Sequence, residues 1–446
     1  MNILIILLLV VVFIVIAISK FKVHPFIALL LSSVLIGFFI GLDGNEMINK
    51  INEGFGNTLS SIGIIIGFGS IVGAFLEKSG GTSAMAKSIL KLIGEKRSPW
   101  AINLTGVLVS IPVYCDSGFV ILSSLNKALS KKTGIPLVVY AVALSTGLYV
   151  AHVFIPPTPG PLAAASILKA DLGLVILFGI ALSIPVAFVG YLWAKKSGAN
   201  LKMEGVKSTE DNTHIDKLPD ESKKNILLVF SPIIVPIILI ALRSLANYPS
   251  HIFGEGMLYN ILHFIGNPLV ALFIGVLFSS KLIEKKINMD TRLGWVSNAL
   301  KEAGVIILIT GAGGAFGNVL KAGDIGQILE SDLSGLQIGI LLPFLLAAIL
   351  KTAQGSSTVA IITSATIIAP LMSSLGLHGE FSRALTVLAI GAGAMTVSHI
   401  NDSYFWVVSQ FSGLDTKTTL KSHTMATLLQ GVSAISMLSI IQLLIN

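Results

Sequence analysis

"VYCDSGFVIL", residues 113–122, places an aspartate, Asp116, in the middle of a long apolar segment. A carboxylate is costly in the hydrocarbon core of a membrane, and an ionisable residue there is a functional candidate by default. The rest of the chain is also apolar: 53% of its 446 residues are hydrophobic and only 12% are charged, against about 25% charged in soluble proteins. The mean hydropathy is +0.86. We therefore expect an all-α polytopic membrane protein that shields the segment around Asp116 from lipid.

Apolar runs long enough for membrane helices, which need about 20 residues, recur along the chain. Lys20 and Lys22 follow the first run, whereas a signal peptide carries its positive residues before the run, so we predict a retained helix. The single cysteine, Cys115, excludes a disulfide framework. The runs include residues 3–18, 25–42, 226–242, 258–278 and 424–445.

Basic residues predict the orientation in the membrane, because loops rich in Lys and Arg face the cytoplasm. The net charge of +7 is attributed to such loops and not to nucleic-acid binding. The hydrophilic residues 197–224 are predicted to form a cytoplasmic linker. A topology with ten crossings and both termini outside places most of the basic clusters on the cytoplasmic side. We expect a multi-pass protein of the cytoplasmic (inner) membrane of a bacterium.

Two apolar segments must enter and leave the membrane on the same side for this topology to hold. The first is about 100–130, which contains Asp116, and the second is about 336–375, with "KTAQGSSTV" (351–359) at its centre. Each is too polar in its middle for a lipid-facing helix. We predict two re-entrant hairpins, which a membrane tolerates only where protein or a water-filled cavity surrounds them.

The two halves of the chain resemble each other. "GFGSIVGAFLEKSG" (67–80) matches "TGAGGAFGNVLKAG" (310–323), and His152 matches His399 at nearly the same offset. We predict that residues 1–196 and 225–446 are repeats of five transmembrane helices plus one hairpin each. Because five is odd, the repeats are inverted, and inverted repeats with discontinuous helices are an architecture of secondary transporters.

The hairpin tips carry candidate ligand groups. At the first tip, Asp116, Ser117 and Gly118 are predicted to line a substrate cavity, with helix capping by the aspartate as the alternative. At the second tip, hydroxyls stand where a helix begins, and the free N–H groups there favour an anion, although they could also serve only as a cap. Lys351 could attract a carboxylate or extend to the surface. The candidates at the second tip are Gln354, Ser356, Ser357 and Thr358.

Each half also contains a predicted broken helix. "HVFIPPTPGP" (152–161) has four prolines, which lack the N–H and clash in a helix interior, so we predict a break within about 136–168. Thr158 becomes a ligand candidate there, unless the prolines form a short external loop. "SHINDSYFW" (398–406), within about 384–413, offers Asn401 and Ser403. Proton-coupling candidates are Asp116, Asp402, His152 and His399, although either histidine could be a satisfied core residue.

Other chemistries lack support in the sequence. "GAGGAFG" (311–317) has no Lys-Ser/Thr of a P-loop and follows no strand, and no Walker A motif indicates ATP-driven transport. The spacings Gly69/Gly73 and Gly313/Gly317 instead predict close helix packing. The histidines and the one cysteine form no dense metal-ligand motif. We predict no metal and no cofactor.

The quoted motifs resemble the gluconate permease (gluconate:proton symporter) family, within the wider ion-transporter superfamily, over nearly the whole chain. Its marks are "YCDSGFVIL", "HVFIPPTPGP", "AQGSSTVA" and "HINDSYFW", in that order. The family usually has a second aromatic residue where Cys115 stands and a small apolar one where Ser117 stands, so the identity of the sugar acid stays open. The resemblance implies uptake of gluconate or related hydroxy acids with protons. The superfamily implies a homodimer with an elevator-like moving transport domain.

Together these observations predict a secondary active transporter, and not an enzyme, that carries a small carboxylate with a proton across the lipid bilayer. Sodium-coupled symport and uncoupled organic-anion exchange are alternatives. An anion channel needs a continuous pore, which two hairpins ending at mid-depth would plug. An intramembrane enzyme would need Asp116 and Asp402 in a recognisable catalytic motif, and neither belongs to one.

Overall fold

The computed structural model describes residues 9–10, 12–14, 16–18, 20–94, 97–200, 225–247, 256–322, 339–377, 379–400 and 402–445, without the side chains of residues 198–200, 321, 354 and 445. Across these ranges the regular secondary structure is helical. Most of the predicted linker, residues 201–224, lies outside the described residues, as does Asn401.

The first half of the chain forms helices α1 to α8, after a segment at residues 9–18 that is helical at its described positions. The bounds are α1 Pro25–Phe39, α2 Gly44–Lys78, α3 Gly81–Ile93, α4 Ser98–Val109, α5 Cys115–Thr133, α6 Leu137–Phe154, α7 Pro159–Ile167 and α8 Leu172–Asn200.

The second half forms helices α9 to α18, with a π-helical turn, Leu420–Thr424, before the last helix. The bounds are α9 Ile226–Ala246, α10 Met257–Ile265, α11 Pro268–Ser280, α12 Met289–Ala322, α13 Leu341–Gln354, α14 Ser357–Ile368, α15 Gly379–Met395, α16 Ser403–Ser412, α17 Thr416–Thr419 and α18 Met425–Ile445.

Six helical spans in the described ranges are long and apolar enough to cross a membrane. The pair α10 and α11, bent by 64°, would add a seventh if it forms one span. Helices α1, α4, α13 and α14 are apolar but shorter. Much of the apolar chain therefore lies in short helices that meet at breaks, and the ten crossings stay a prediction.

The helices are interrupted at four places that coincide with the polar motifs. Break one is Ser110–Tyr114, break two is Ile155–Thr158, break three is Gly355–Ser356 and break four is Thr396–Asp402. Prolines lie within breaks one and two and remove the N–H that the next helical turn would need. The first two breaks are thus a direct consequence of the proline positions.

Break three depends on a glycine and a serine. Gly355 has a φ of +89°, a left-handed conformation that glycine adopts without steric cost. Ser356 then begins α14, and its hydroxyl accepts a hydrogen bond from the Val359 N–H at 3.3 Å. The hydroxyl therefore satisfies one of the free N–H groups of the new helix.

Break four is held in a strained conformation by the end of the chain. Val397 has a φ of +58°, which is unfavourable for a β-branched residue. The next residue, Ser398, donates its N–H to the Thr427 hydroxyl at 3.0 Å and accepts from the Thr424 hydroxyl at 2.5 Å. These two bonds fix break four against the π-helical turn and α18.

Helices α6 and α7 lie at the centre of the molecule, where Val138–Phe154 and Pro159–Ala165 are buried. Close approach around them depends on small residues, as the GxxxG spacings predict. A Cβ added to Gly73 would lie 2.2 Å from the Pro112 carbonyl oxygen in break one, and one on Gly313 would lie 2.6 Å from Thr366 Oγ1. The glycines of α2 and α12 therefore bring both long helices against the central elements.

Candidate functional site

All four breaks meet at the centre of the molecule. His152, at the end of α6, lies with its Nε2 3.5 Å from Thr358 Oγ1, which joins break two to the start of α14. The Tyr114 ring of break one lies 6.3 Å from the His152 ring. The Tyr149 hydroxyl donates to the Ala394 carbonyl at 3.3 Å, just before break four. The interrupted helices thus assemble a single central site.

Asp116 lies in the first turn of α5, directly after break one. The helix cap is Tyr114, whose side chain makes no capping bond, and the Asp116 carboxyl interacts with its own backbone N–H. Asp116 Oδ1 is buried and has no hydrogen-bond partner. The charges of Asp402 and Lys351 both act on this carboxyl. Asp116 is therefore not used as a cap for a neighbouring residue, and one of its oxygens is left for a proton or a ligand.

Besides Asp116 Oδ1, the buried His152 Nδ1 has no hydrogen-bond partner, and the buried Ser70 Oγ and Tyr114 Oη have none other than each other. Tyr114 and Ser70 lie next to each other. Buried polar atoms in proteins are normally hydrogen-bonded, so the unpartnered Asp116 Oδ1 and His152 Nδ1, together with the two hydroxyls that have only each other, indicate a site that binds a polar ligand.

A cavity of about 170 Å³ extends from Ser70 and Tyr114 toward the end of α2. One water needs roughly 10–15 Å³, so the cavity can hold a small organic molecule. Lys78 and Glu302 on its rim are exposed, which connects break one with the outside of the protein. The cavity is lined by Ser70, Gly73, Ala74, Glu77, Lys78, Pro112, Val113, Tyr114, Ser117, Trp295, Asn298, Ala299 and Glu302.

Asp402 forms a buried ion pair that joins breaks three and four. Its Oδ2 lies 2.5 Å from Lys351 Nζ and accepts from the Ser398 hydroxyl at 2.5 Å, while Oδ1 accepts from the Tyr404 N–H at 3.0 Å and caps α16. Lys351 is 1% exposed and also donates to the Gly355 carbonyl at 2.6 Å. The lysine therefore does not extend to the surface.

A hydrogen-bond chain continues from this ion pair to α6. His423, in the π-helical turn and fully buried, lies with Nε2 3.1 Å from Ser398 Oγ and Nδ1 3.0 Å from Ser145 Oγ. The Tyr404 hydroxyl donates to the Ser145 carbonyl at 3.0 Å. π-Helical turns are frequent at functional sites, and this one links the ion pair to the fully buried central helix.

The residues predicted at the first tip and in break two have different surroundings. Ser117 lines the large cavity, and Thr158 lines a smaller adjoining pocket while its hydroxyl donates to the Ile155 carbonyl at 2.6 Å. Gly118 packs on Leu148, whose Cδ2 would lie 2.7 Å from an added Cβ. Gly118 thus serves close helix packing.

The predicted residues of the second tip and of break four are only partly described. Ser357 interacts with the Tyr149 hydroxyl, and His399 Nε2 lies 3.1 Å from the Thr352 carbonyl oxygen. Ser403 is the exposed first residue of α16. The Gln354 side chain and the whole of Asn401 lie outside the described residues. In the part of the chain that the structure describes, no three His, Cys, Asp or Glu side chains converge as a metal site would require.

Sequence reasoning missed the partners of Asp402 and the role of His423. The sequence shows Lys351 as a charge in an apolar hairpin, but nothing in it shows that the lysine faces Asp402. His423 follows the basic residues Lys417 and Lys421, and a position after basic residues is typical of the end of a loop. An ionisable residue at the start of an apolar run is the one signal that could have found it.

Comparison with known proteins identifies the family of the chain. The GntP family permease model matches residues 1–444. The gluconate permease of Pseudomonas aeruginosa is 30% identical over 95% of this chain and 94% of its own length. The D-serine transporter DsdX of Escherichia coli K12 is 33% identical over 96% of this chain and 95% of its own.

A solved structure has the same fold. The YdaH transporter of Alcanivorax borkumensis superimposes with a TM-score of 0.67 over 94% of this chain and 98% of its own, at 15% identity. The family match over nearly the whole length, together with the apolar spans, makes the chain a multi-pass membrane protein. It therefore belongs to the GntP family of permeases, which are membrane transporters and not enzymes.

Proposed function

We propose that this permease is a secondary active transporter that takes up gluconate or a related small hydroxy acid together with a proton. The observation that carries this proposal is the buried Asp116 Oδ1, which has no partner at the meeting point of the four breaks. Relatives named for gluconate and D-serine transport support a small carboxylate substrate.

The substrate carboxylate would bind where α7 and α14 begin. Helix N-termini offer free N–H groups and a partial positive charge, although Pro159 and Pro161 have no N–H and leave that of Gly160 at α7. The hydroxyls at these two helix ends belong to Thr158, Ser356, Ser357 and Thr358. The sugar hydroxyls would bind the Ser70 and Tyr114 hydroxyls, the unpartnered His152 Nδ1 and Ser117. Gln354, Asn401 and Ser403 stay candidate ligands on the basis of the sequence.

The proton would be carried by Asp116. Protonation of Asp402 would remove the charge that pairs with the buried Lys351 ammonium, whereas Asp116 Oδ1 can accept a proton without losing a partner. A proton that travels with a monovalent anion neutralises its charge. Neutralisation avoids the cost of about 2.3 kcal/mol for moving one charge against 100 mV.

The two halves would be inverted repeats that move relative to each other. Helices α2 and α12, with 35 and 34 residues, carry the matched glycine segments and pack antiparallel, since Gly54 lies against Gly314 and Gly67 against Leu300. Antiparallel packing of matched helices is the relation that inverted repeats predict. A homodimer with a moving transport domain stays an expectation from the superfamily.

Uptake by proteoliposomes tests the proposal. An inward proton gradient should drive accumulation of radiolabelled D-gluconate, L-idonate or glycerate, and a protonophore should abolish it, with D-serine as an amino-acid comparison. Accumulation driven only by a sodium gradient would favour sodium symport. Exchange without accumulation under either gradient would favour the uncoupled exchanger.

A further inference from the structure

The buried ammonium of Lys351 has the surroundings of a bound cation. Nζ lies 2.5 Å from Asp402 Oδ2, donates to the Gly355 carbonyl oxygen at 2.6 Å and stands 5.9 Å from the centre of the Tyr149 ring. Only 1% of the residue is exposed. A carboxylate, a carbonyl and an aromatic face thus surround one positive charge.

This is also the kind of place in which a sodium ion would bind. Hard cations take carboxylate and carbonyl oxygens as ligands, and broken helices coordinate sodium through unwound carbonyls and helix C-termini. Lys351 lies in the last turn of α13, where its own carbonyl oxygen accepts from the Gly355 N–H at 2.8 Å. Its side chain returns to the break that follows its own helix.

We propose that the Lys351 ammonium is a tethered cation, which occupies the cation position between breaks three and four and makes transport independent of sodium. The inference rests on the proposed function, because it selects the coupling ion of the same site. A sodium ion at these oxygens would have to displace the ammonium or lie in contact with it. Displacement would leave a buried unpaired charge, which is strongly unfavourable.

Other ionisable groups surround the Lys351–Asp402 pair, but none of them takes the place of Asp402 as the partner of the ammonium. Charges of the pair act on Cys115 and Asp116 of α5, on Tyr149 and His152 of α6, on Tyr404 of α16 and on His423 of the π-helical turn. Asp116 is a second carboxylate, but the Lys351 ammonium donates to Asp402 and not to Asp116. The tethered cation thus neutralises one carboxylate and leaves the other for the coupled proton.

The test measures thermal unfolding of the purified full-length protein in NaCl, KCl or choline chloride at one ionic strength. The variants are Lys351→Ala, the double variant Lys351→Ala with Asp402→Asn, and Lys281→Ala as a matched control. The Lys281 Nζ also lies over an aromatic ring, 5.4 Å from the centre of the Phe278 ring, but Lys281 is exposed. Lys351→Gln replaces Lys351→Ala if the latter cannot be purified.

The wild type and Lys281→Ala should unfold at the same temperature in all three salts. Lys351→Ala should gain a saturable, sodium-specific rise of a few degrees, because a ligand that binds only the folded state stabilises it. The double variant should lose this rise together with the carboxylate. A sodium-specific rise in the wild type, or none in folded Lys351→Ala, would overturn the proposal.

This measurement uses no substrate and therefore stands apart from the test of the proposed function. If no sugar acid is transported, the sodium response of the variants still decides whether Lys351 fills a cation position. A second readout follows from transport of D-gluconate where it is found. Wild-type accumulation should be unchanged when sodium replaces choline, and accumulation that needs sodium would refute the tethered cation.

Discussion

The two central aspartates differ in what their oxygens contact. Both oxygens of Asp402 have partners, namely Lys351, Ser398 and the Tyr404 N–H, whereas Asp116 Oδ1 has none. A fully bonded carboxylate fixes the geometry of two breaks, and a carboxylate with a spare oxygen can take up and release a proton. Replacement of Asp116 and of Asp402 by asparagine should therefore affect transport in different ways.

Asp116→Asn should abolish accumulation of substrate under an inward proton gradient while substrate counterflow continues. The amide keeps the shape of the carboxyl but cannot carry the coupled proton. Both activities are measured in proteoliposomes that contain the full chain. Asp43→Asn is the control, because the exposed Asp43 caps α2 and asparagine caps a helix nearly as well. Normal accumulation by Asp116→Asn would show that the proton travels elsewhere, with His152 and His399 as the next candidates.

Thr358→Ala should weaken substrate binding more than it changes stability. A hydrogen bond to a charged partner is worth about 1.5–3 kcal/mol, so we expect the dissociation constant to rise by roughly 10- to 150-fold in calorimetric titration. Thr386→Ala is the control, because its buried hydroxyl donates to the Ser382 carbonyl of its own helix at 2.7 Å and should not contact substrate. Equal affinity of Thr358→Ala and the wild type would indicate that the hydroxyls at the start of α14 only cap the helix and do not bind substrate.

At the scale of the elements, the four breaks differ in how far the sequence predicts them. Prolines in breaks one and two and Gly355 in break three act through local backbone geometry, which a sequence shows directly. Break four has no proline, and its strained Val397 is held by Thr424 and Thr427 of distant helices. Contacts of this kind depend on tertiary packing, and so does the pairing of Lys351 with Asp402, which no spacing in the sequence reveals.

Gly73→Ala should destabilise the protein, because its Cβ would lie 2.2 Å from the Pro112 carbonyl oxygen in break one. Overpacking against backbone costs about 1–3 kcal/mol, and displacement of break one should also reduce uptake. Gly304→Ala is the matched helical control, with nothing within 4 Å of the added Cβ, and it should gain up to about 1 kcal/mol from helix propensity. Unfolding in detergent measures both changes, and equal stability of the two variants would contradict close packing at Gly73.

At the scale of the whole molecule, the breaks explain why so many short apolar helices occur in one chain. The backbone groups that a helix break leaves unpaired cannot face lipid, and here the breaks adjoin α6, of which residues Val138–Phe154 are buried. The long helices α2 and α12 cross beside this centre, and the cavity between them reaches break one. A transporter needs such an arrangement, in which a substrate meets free backbone groups without exposing them to lipid.

The orientation of the molecule in the membrane is the prediction that depends on the whole chain. Lysines in residues 197–224 predict that this linker is cytoplasmic and that both termini are outside. In a Cys115→Ala background, Ser208→Cys should resist a membrane-impermeant thiol reagent in intact cells and react after the cells are opened. Asn446→Cys should react in intact cells, which controls for reagent access and expression. Ready labelling of Ser208→Cys in intact cells would invert the predicted topology, and the cavity at the end of α2 would then open to the opposite side of the membrane.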